Sequence, residues 1–345
     1  MKSLLGDWGK WMMASLAKDF FIGLSNNDFL NQSAKKFGAR FGAERFVAGT
    51  VFDAIIPTIR QLNQKKISCT MDHLGEFVTD RSEAEHAKEK IMDMLHQIHE
   101  ENLDCHVSIK LTQLGLDIEE SFCIQNVEQI LEVADACDVF VNIDMEKYTH
   151  YDSTLKILKL LRKNYPNVGT VIQTYLYDAE KDLSDLEDVR LRIVKGAYKE
   201  DSSVAYGSKD EIDKNFLKIA KKRLLGSAFT SIATHDHHII NELKKFIAEH
   251  QISTDNFEFQ MLYGFRIDMQ HQLVKEGYRF CTYIPFGEDW FGYFMRRLAE
   301  RPQNLNLLVK DAFYTEDNKL KKQPVVIGTV VLTLLLCLGT RKKKG

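Results

Sequence analysis

Between residues 66 and 284 the chain repeats one unit eight times, a short apolar run of strand length followed by a longer segment of helical character. The expected strands are 67–72, 106–111, 139–144, 169–175, 191–196, 230–235, 257–262 and 279–284. Helical spacing of apolar residues is clearest over 82–101, 127–137, 153–164, 210–225, 238–250 and 267–276. A doubly wound sheet would share much of this alternation, but a count of eight favours an α/β fold of the (β/α)8, TIM-like barrel type. A barrel of about 250 residues fits within the 345 available and leaves room for extensions at both ends.

The strands themselves carry a second pattern. Val107, Ile109 and Leu111 share one face while Ser108 and Lys110 share the other; Val139, Val141 and Ile143 likewise oppose Asn142 and Asp144. Phe257, Phe259 and Met261 oppose Glu258 and Gln260. The continuous apolar face suits the outer helices, and the mixed face then looks into the barrel, where unpaired polar groups cost several kcal/mol. Chemistry is therefore expected at the carboxyl ends of the strands.

Those ends carry Lys110, Asp144, Gln173 and Arg192, followed by Lys195-Gly196-Ala197 and, after the sixth strand, Thr234 and His235. Taken singly, Lys110 and Asp144 could be a buried ion pair and Gln173 a satisfier of backbone groups. A whole ring of ionisable groups at one mouth marks a site. Arg192 among Leu191, Ile193 and Val194, with a close backbone approach at Gly196, suits an anionic cofactor. The A-T-H-D-H-H run offers a rival, a metal hydrolase built on His235, Asp236, His237 and His238, although the first strand adds only the lone His73. No G-x-x-x-x-G-K-[ST] or G-x-G-x-x-G follows any strand, so a nucleotide would not be held in Rossmann style.

Composition narrows the class. A net charge of −3 gives no electrostatic case for nucleic acid, and 44% hydrophobic residues suffice for a core. The six cysteines include no C-x-x-C pair, which suits a reducing compartment. Asp7, Lys10 and Lys18 interrupt any secretory h-region, so a cytoplasmic location is expected. Residues 1–64 read as an N-terminal helical arm, from Trp8, Trp11, Met12, Leu16 and Phe20 and again from Phe52, Ile55, Ile56, Ile59 and Leu62.

The stretch 283–302 reads Y-I-P-F-G-E-D-W-F-G-Y-F-M-R-R-L-A-E-R-P. It predicts the end of a strand, a turn at Pro285 and Gly287, and a helix with Glu288 and Asp289 in its first turn. Tyr293, Arg296 and Arg297 share one face, suited to gripping a small carboxylate; the alternative is a solvated basic helix end. Its strings Y-I-P-F-G-E-D-W and Y-F-M-R-R-L-A-E-R-P closely resemble the final strand and helix of the proline dehydrogenases, flavoenzymes that oxidise proline to pyrroline-5-carboxylate. The resemblance runs from about residue 69 to residue 304 and includes six of the eight strand ends or their loops.

What the resemblance implies is specific. Lys110, Arg296 and Arg297 would contact the substrate carboxylate region, Tyr198 and Tyr283 would line the pocket, and Leu262 would pack near the proline ring. Asp144 matches the family's active-site acid, and Arg192 its catalytic arginine near the flavin. Met145, Gln173, Arg192, Lys195, Gly196, Ala197, Thr234 and His235 match its FAD contacts. The helix opening at Glu288 and Asp289 would cap the substrate. L-Proline would be oxidised with hydride transfer to FAD, a membrane quinone would reoxidise the flavin, and a separate pyrroline-5-carboxylate dehydrogenase would take the product on toward glutamate. The corresponding division is an arm over 1–64, a barrel over 65–305 and an extension over 306–345.

The extension departs from the family. Residues 325–340 are sixteen largely apolar positions followed by R-K-K-K-G. As a helix they span roughly 24 Å, short of a bilayer core of about 30 Å, and a span would carry the basic end across the membrane. Peripheral lodging on the inner face of the membrane is physically easier. A third reading, a membrane-docked barrel that binds an acidic metabolite without turning it over, is separated from the others by flavin content.

Overall fold

The computed structural model describes residues 47–300, with side chains to residue 295. Residues 1–46, the side chains of Arg296 and Arg297, and residues 301–345 with the apolar segment 325–340 lie outside the described residues. By compactness the chain divides into one unit over 46–288 and another comprising 1–45 and 289–345.

The first unit is a closed barrel of eight parallel strands in sequence order. The strands are β1 (Ser68–His73), β2 (Cys105–Ile109), β3 (Val141–Ile143), β4 (Val168–Gln173), β5 (Leu191–Val194), β6 (Thr230–Ala233), β7 (Phe257–Leu262) and β8 (Phe280–Phe286). Helix α1 (Ile56–Gln64) precedes β1, and α2 (Arg81–Glu100), α3 (Glu120–Ala136), α4 (Tyr151–Leu161), α5 (Lys209–Leu224), α6 (His237–Glu249) and α7 (Ile267–Lys275) connect successive strands. The exception is the β4–β5 connection, a 3-10 segment over Tyr177–Leu186. Its Y-D-A-E-K-D-L-S-D-L sequence is rich in Asp and Ser, which favour turns over an α-helix interior, yet it buries Ala179, Leu183 and Leu186.

Local signals explain most boundaries. Asp80, Ser208 and Asp236 cap α2, α5 and α6 by accepting from backbone N–H groups of Ser82, Glu211 and His238. Helix α2 buries Ala84, Ala87, Ile91, Met94, Leu95 and Ile98, one stripe at 3.6-residue spacing. The outward strand residues Val107, Ile109, Val141, Ile143, Phe257 and Phe259 are buried in the same core. Phe52 and Ile55 are buried as well, but they precede α1, which begins at Ile56 beside Pro57.

The inward face is polar, as the alternation requires. Thr70, Asp72, Ser108, Lys110, Asn142, Asp144, Arg192, Glu258 and Gln260 are all buried. In register, Asp72 of β1 stands beside Ser108 of β2, and Ser108 beside Asn142 of β3. The second unit contributes helix α8 (Trp290–Glu300), in which the Trp290 ring contacts Phe291 and Phe294 at 5.8 and 6.0 Å between centroids. Because α8 begins at Trp290, Glu288 and Asp289 precede the helix instead of occupying its first turn.

Candidate active site

Asp144, immediately after β3, is the hub of the barrel mouth. Its Oδ1 accepts from Arg192 Nη1 at 2.6 Å and from Asn142 Nδ2 at 3.0 Å. Its Oδ2 accepts from the Tyr283 hydroxyl at 2.9 Å and from Lys110 Nζ at 3.5 Å. Arg192 reaches across the barrel from β5, its Nη2 donating to Ser108 Oγ at 2.8 Å and Thr70 Oγ1 at 3.2 Å. The Arg192 guanidinium also lies 5.1 Å from the centre of the Tyr283 ring. Residues of four strands or their ends, distant in sequence, thus meet in one charge-paired cluster, which joins Lys110, Asp144 and Arg192, expected together from the strand pattern, to Tyr283, expected from the resemblance.

Charge and burial set the protonation of this cluster. Burial by itself disfavours the Lys110 ammonium, but the carboxylates of Asp72 and then Asp144 outweigh it and hold the lysine pKa above its ordinary value. Lys110 is therefore charged throughout the neutral range. Burial first, and the charges of Asp144 and Asp72 after it, raise the Tyr283 phenol well above its ordinary value, so it stays a donor.

Other anticipated residues surround this cluster. Gln173, the last residue of β4, donates from Nε2 to the carbonyls of Met145 and Glu146, both at 3.2 Å. Lys195, just after β5, pairs with Asp213 and with Asp236, the latter at 3.2 Å. Gly196 has φ +122°, and a Cβ there would come within 2.2 Å of the Tyr175 ring, so only glycine lets the backbone run this close. Ala197 is exposed and Tyr198 half-buried in the same loop. Thr234 Oγ1 accepts from Asp236 N at 3.1 Å, shaping the turn after β6, and His235 Nε2 accepts from Leu262 N at 3.0 Å, tying the β6 and β7 ends together. Arg296 and Arg297 belong to α8, and their side chains are not among the described residues.

The histidine run does not assemble the ligand set of the rival hydrolase. His235 is bonded to β7, Asp236 is engaged by α6 and Lys195, and the His237 and His238 rings lie tilted against each other with centroids 3.9 Å apart. Among the described residues, the one trio of donors close enough for a metal is His106, Glu258 and Cys281. It lies toward the amino ends of β2, β7 and β8, away from the mouth, and Glu258 is engaged by Ser231, Gln260 and Arg190 at 2.7, 2.6 and 3.5 Å.

Two buried carboxyl groups escape the sequence reading. Asp72 of β1 lies 2.6 Å from Lys110 Nζ and is 1% exposed. The signal was its place on the inward face within M-D-H-L-G-E, where attention falls on His73. Glu146 is the second. It accepts from Thr112 N at 3.0 Å and Thr112 Oγ1 at 2.5 Å, while Thr112 Oγ1 accepts from Phe77 N at 3.1 Å. Glu146 thereby clamps the loops after β1, β2 and β3.

Burial pushes the Glu146 carboxyl up to about 7, the Thr112 hydrogen bonds offsetting only part of that cost. The folded state then binds more protons than the unfolded one between the ordinary value of 4.5 and about 7. Stability from this group is full below that window and is lost as pH rises through it, by at most about 3 kcal/mol. Thermal unfolding measured across the window should show this decline, and Glu146→Gln should flatten it; an unchanged slope in the variant would assign the decline elsewhere.

A closed parallel barrel that gathers paired acids and bases at its mouth has the layout of a barrel enzyme. The proline dehydrogenase family model matches residues 55–309. Proline dehydrogenase 2 of Bacillus subtilis is 47% identical over 297 residues, 86% of this chain and 98% of that protein. The proline dehydrogenase of Deinococcus radiodurans is 38% identical over 275 residues, 78% of this chain and 89% of that protein. Among solved structures, proline utilization A from Bdellovibrio bacteriovorus, inactivated by N-propargylglycine, superposes with a TM-score of 0.71 at 26% identity. That match includes 80% of this chain, which spans about a third (34%) of the larger protein. The chain belongs to the proline dehydrogenase family. Its reaction is the oxidation of proline to pyrroline-5-carboxylate.

Proposed function

We propose that the chain carries out this oxidation with FAD held at the barrel mouth and a quinone as the final electron acceptor. The observation that carries the flavin assignment is a pair of orphaned buried atoms. Arg192 Nε, a donor, and Gln173 Oε1, an acceptor, have no hydrogen-bond partner among the described residues although both terminal nitrogens of Arg192 and Nε2 of Gln173 are hydrogen-bonded. Unmet buried polar atoms of opposite kinds fit a ligand edge that both accepts and donates. The Gly196 approach and the Lys195 ammonium suit the anionic part of the same ligand. Arg192, Met145, Gln173, Lys195, Gly196, Ala197, Thr234 and His235 are the residues that would hold it.

When bound, the flavin supplies the hydride acceptor that no side chain can provide. The protein's own share is positioning and charge. Arg296 and Arg297, with Lys110, anchor the carboxylate of proline, while Tyr198, Tyr283 and Leu262 shape a pocket for its ring. Arg192 presents a fixed cation, held by Asp144, where negative charge develops. Asp144 and Arg192 are accordingly the catalytic pair. Lys110 is already protonated and so cannot take the proton of the substrate amine at neutral pH.

Residues 1–64 form an arm, 65–305 the catalytic barrel with α8 as the substrate cap, and 306–345 an extension whose segment 325–340 rests peripherally on the inner face of the membrane, near the quinone pool. The product passes to a separate dehydrogenase. Among the described residues no helix is long and apolar enough to cross a membrane.

The visible spectrum of the purified protein, before and after anaerobic L-proline, tests the flavin reading. Flavin bands that bleach on adding proline are expected. A colourless protein that takes up no added FAD would overturn the cofactor assignment.

A further inference from the structure

We propose that Asp72 is a positioning residue of the reaction, acting through Lys110: it holds the ammonium in place, charged, and sets the charge presented at the barrel mouth. The inference rests on the flavin reading above.

The geometry singles out Asp72 over Asp144 as the counter-ion of Lys110. Lys110 Nζ directs its three N–H groups at Asp72 Oδ1 (2.6 Å), the Tyr283 hydroxyl oxygen (3.4 Å) and Asp144 Oδ2 (3.5 Å). Only the first is a short charge-assisted contact. Asp144 is already engaged by three closer donors, Arg192 at 2.6 Å, Tyr283 at 2.9 Å and Asn142 at 3.0 Å. The other side of the cluster belongs to Arg192 and Asp144, so the mouth contains two ion pairs, joined through Tyr283. Asp72 and Lys110 are 1% and 6% exposed, which leaves neither free to find water if its partner is lost.

The charged groups that face the Asp72–Lys110 pair are Asp144 and Glu76, with the Glu146 carboxyl also acting on Lys110 and Tyr283 as the neutral titratable neighbour. Removing the Asp72 charge changes this balance by one positive unit and leaves Lys110 with only long contacts. Two consequences follow from elementary electrostatics. A cation stripped of its nearest counter-charge in a buried site loses its proton more readily. A site with one more positive charge also favours the reduced, more negative state of a flavin held beside it.

The test compares Asp72→Asn with the double variant Asp72→Asn/Lys110→Met, which removes both charges and so leaves no uncompensated ion. Each is purified with its flavin, and two quantities are read: the flavin reduction potential, by dye-coupled anaerobic titration, and the pH profile of kcat/KM for L-proline. Asp72→Asn should shift the potential positive, lower kcat/KM by about tenfold to a hundredfold, and bring a new basic limb into the profile. The double variant should return the potential toward the wild-type value and lose the new limb, because that limb belongs to Lys110. An Asp72→Asn enzyme of reduced activity with wild-type potential and pH profile would overturn the proposal in favour of a purely structural role. A limb that persists in the double variant would overturn it too. If Asp72→Asn is recovered without flavin, the double variant decides: regained flavin supports the charge-pairing role and its continued absence refutes it. A wild-type protein without flavin would fail the cofactor reading instead, which keeps the two separable.

Discussion

Asp144→Ala is expected to destabilise the fold by about 3–5 kcal/mol, because it strips the buried Arg192 cation of its counter-ion in a site that excludes water. Four donors converge on this carboxylate, from β2, β3, β5 and β8 or their ends. Alanine removes the acceptor for all of them and leaves a cavity as well. Asp144→Asn is the informative control, since it keeps the volume and one acceptor oxygen while removing the charge. It should recover part of the stability but little of the activity. Proline-dependent turnover should fall about a hundredfold or more in both variants if the carboxylate fixes the cation that stabilises developing charge. Chemical denaturation and steady-state kinetics measured side by side separate the two effects. Turnover near the wild-type level in Asp144→Asn would remove Asp144 from the catalytic pair.

Gly196→Ala should be nearly as costly, for a different reason. Its φ of +122° lies where a side chain is strained, and the added Cβ would come within 2.2 Å of the buried Tyr175 ring. Strain of about 1–3 kcal/mol and overpacking of a similar size act together, so a loss of about 2–6 kcal/mol is expected. Tyr175 has little room to yield, because its N–H donates to the Lys195 carbonyl and its own carbonyl accepts from Tyr206 N, both at 2.8 Å. If the loop also cradles the flavin, the variant should be purified with less of it, measured as the ratio of flavin to protein absorbance. Full flavin content together with lowered stability would confine Gly196 to a structural role.

These effects rest on a cluster that was only partly visible in the linear order of residues. Lys110, Asp144 and Arg192 announced themselves because each interrupts an apolar strand run where a lone charge would be expensive. Asp72 obeys the same rule in β1 but is flanked by His73 and Glu76, so its inward position is less conspicuous. Glu146 was hidden more thoroughly. It follows β3 outside any alternation, and its role depends on Thr112 and Phe77, which belong to other loops. The histidine run misled in the opposite direction. His235, Asp236, His237 and His238 are adjacent in sequence, but a strand end followed by a helix start sends their side chains to different partners.

What the sequence determined by itself is the barrel. Eight strand-length apolar runs alternating with longer segments favour, by their count, a closed parallel sheet over a doubly wound one, and local caps at Asp80, Ser208 and Asp236 start three of the helices. It also determined which face of β2, β3 and β7 is polar, since alternation is a property of the extended backbone alone. Only the tertiary structure decided which polar groups pair. The stagger of a closed barrel places Lys110, one residue past β2, against Asp72 inside β1, and brings Arg192 across the interior to Ser108 and Thr70. No short-range pattern encodes that offset, because it arises from closing the sheet on itself.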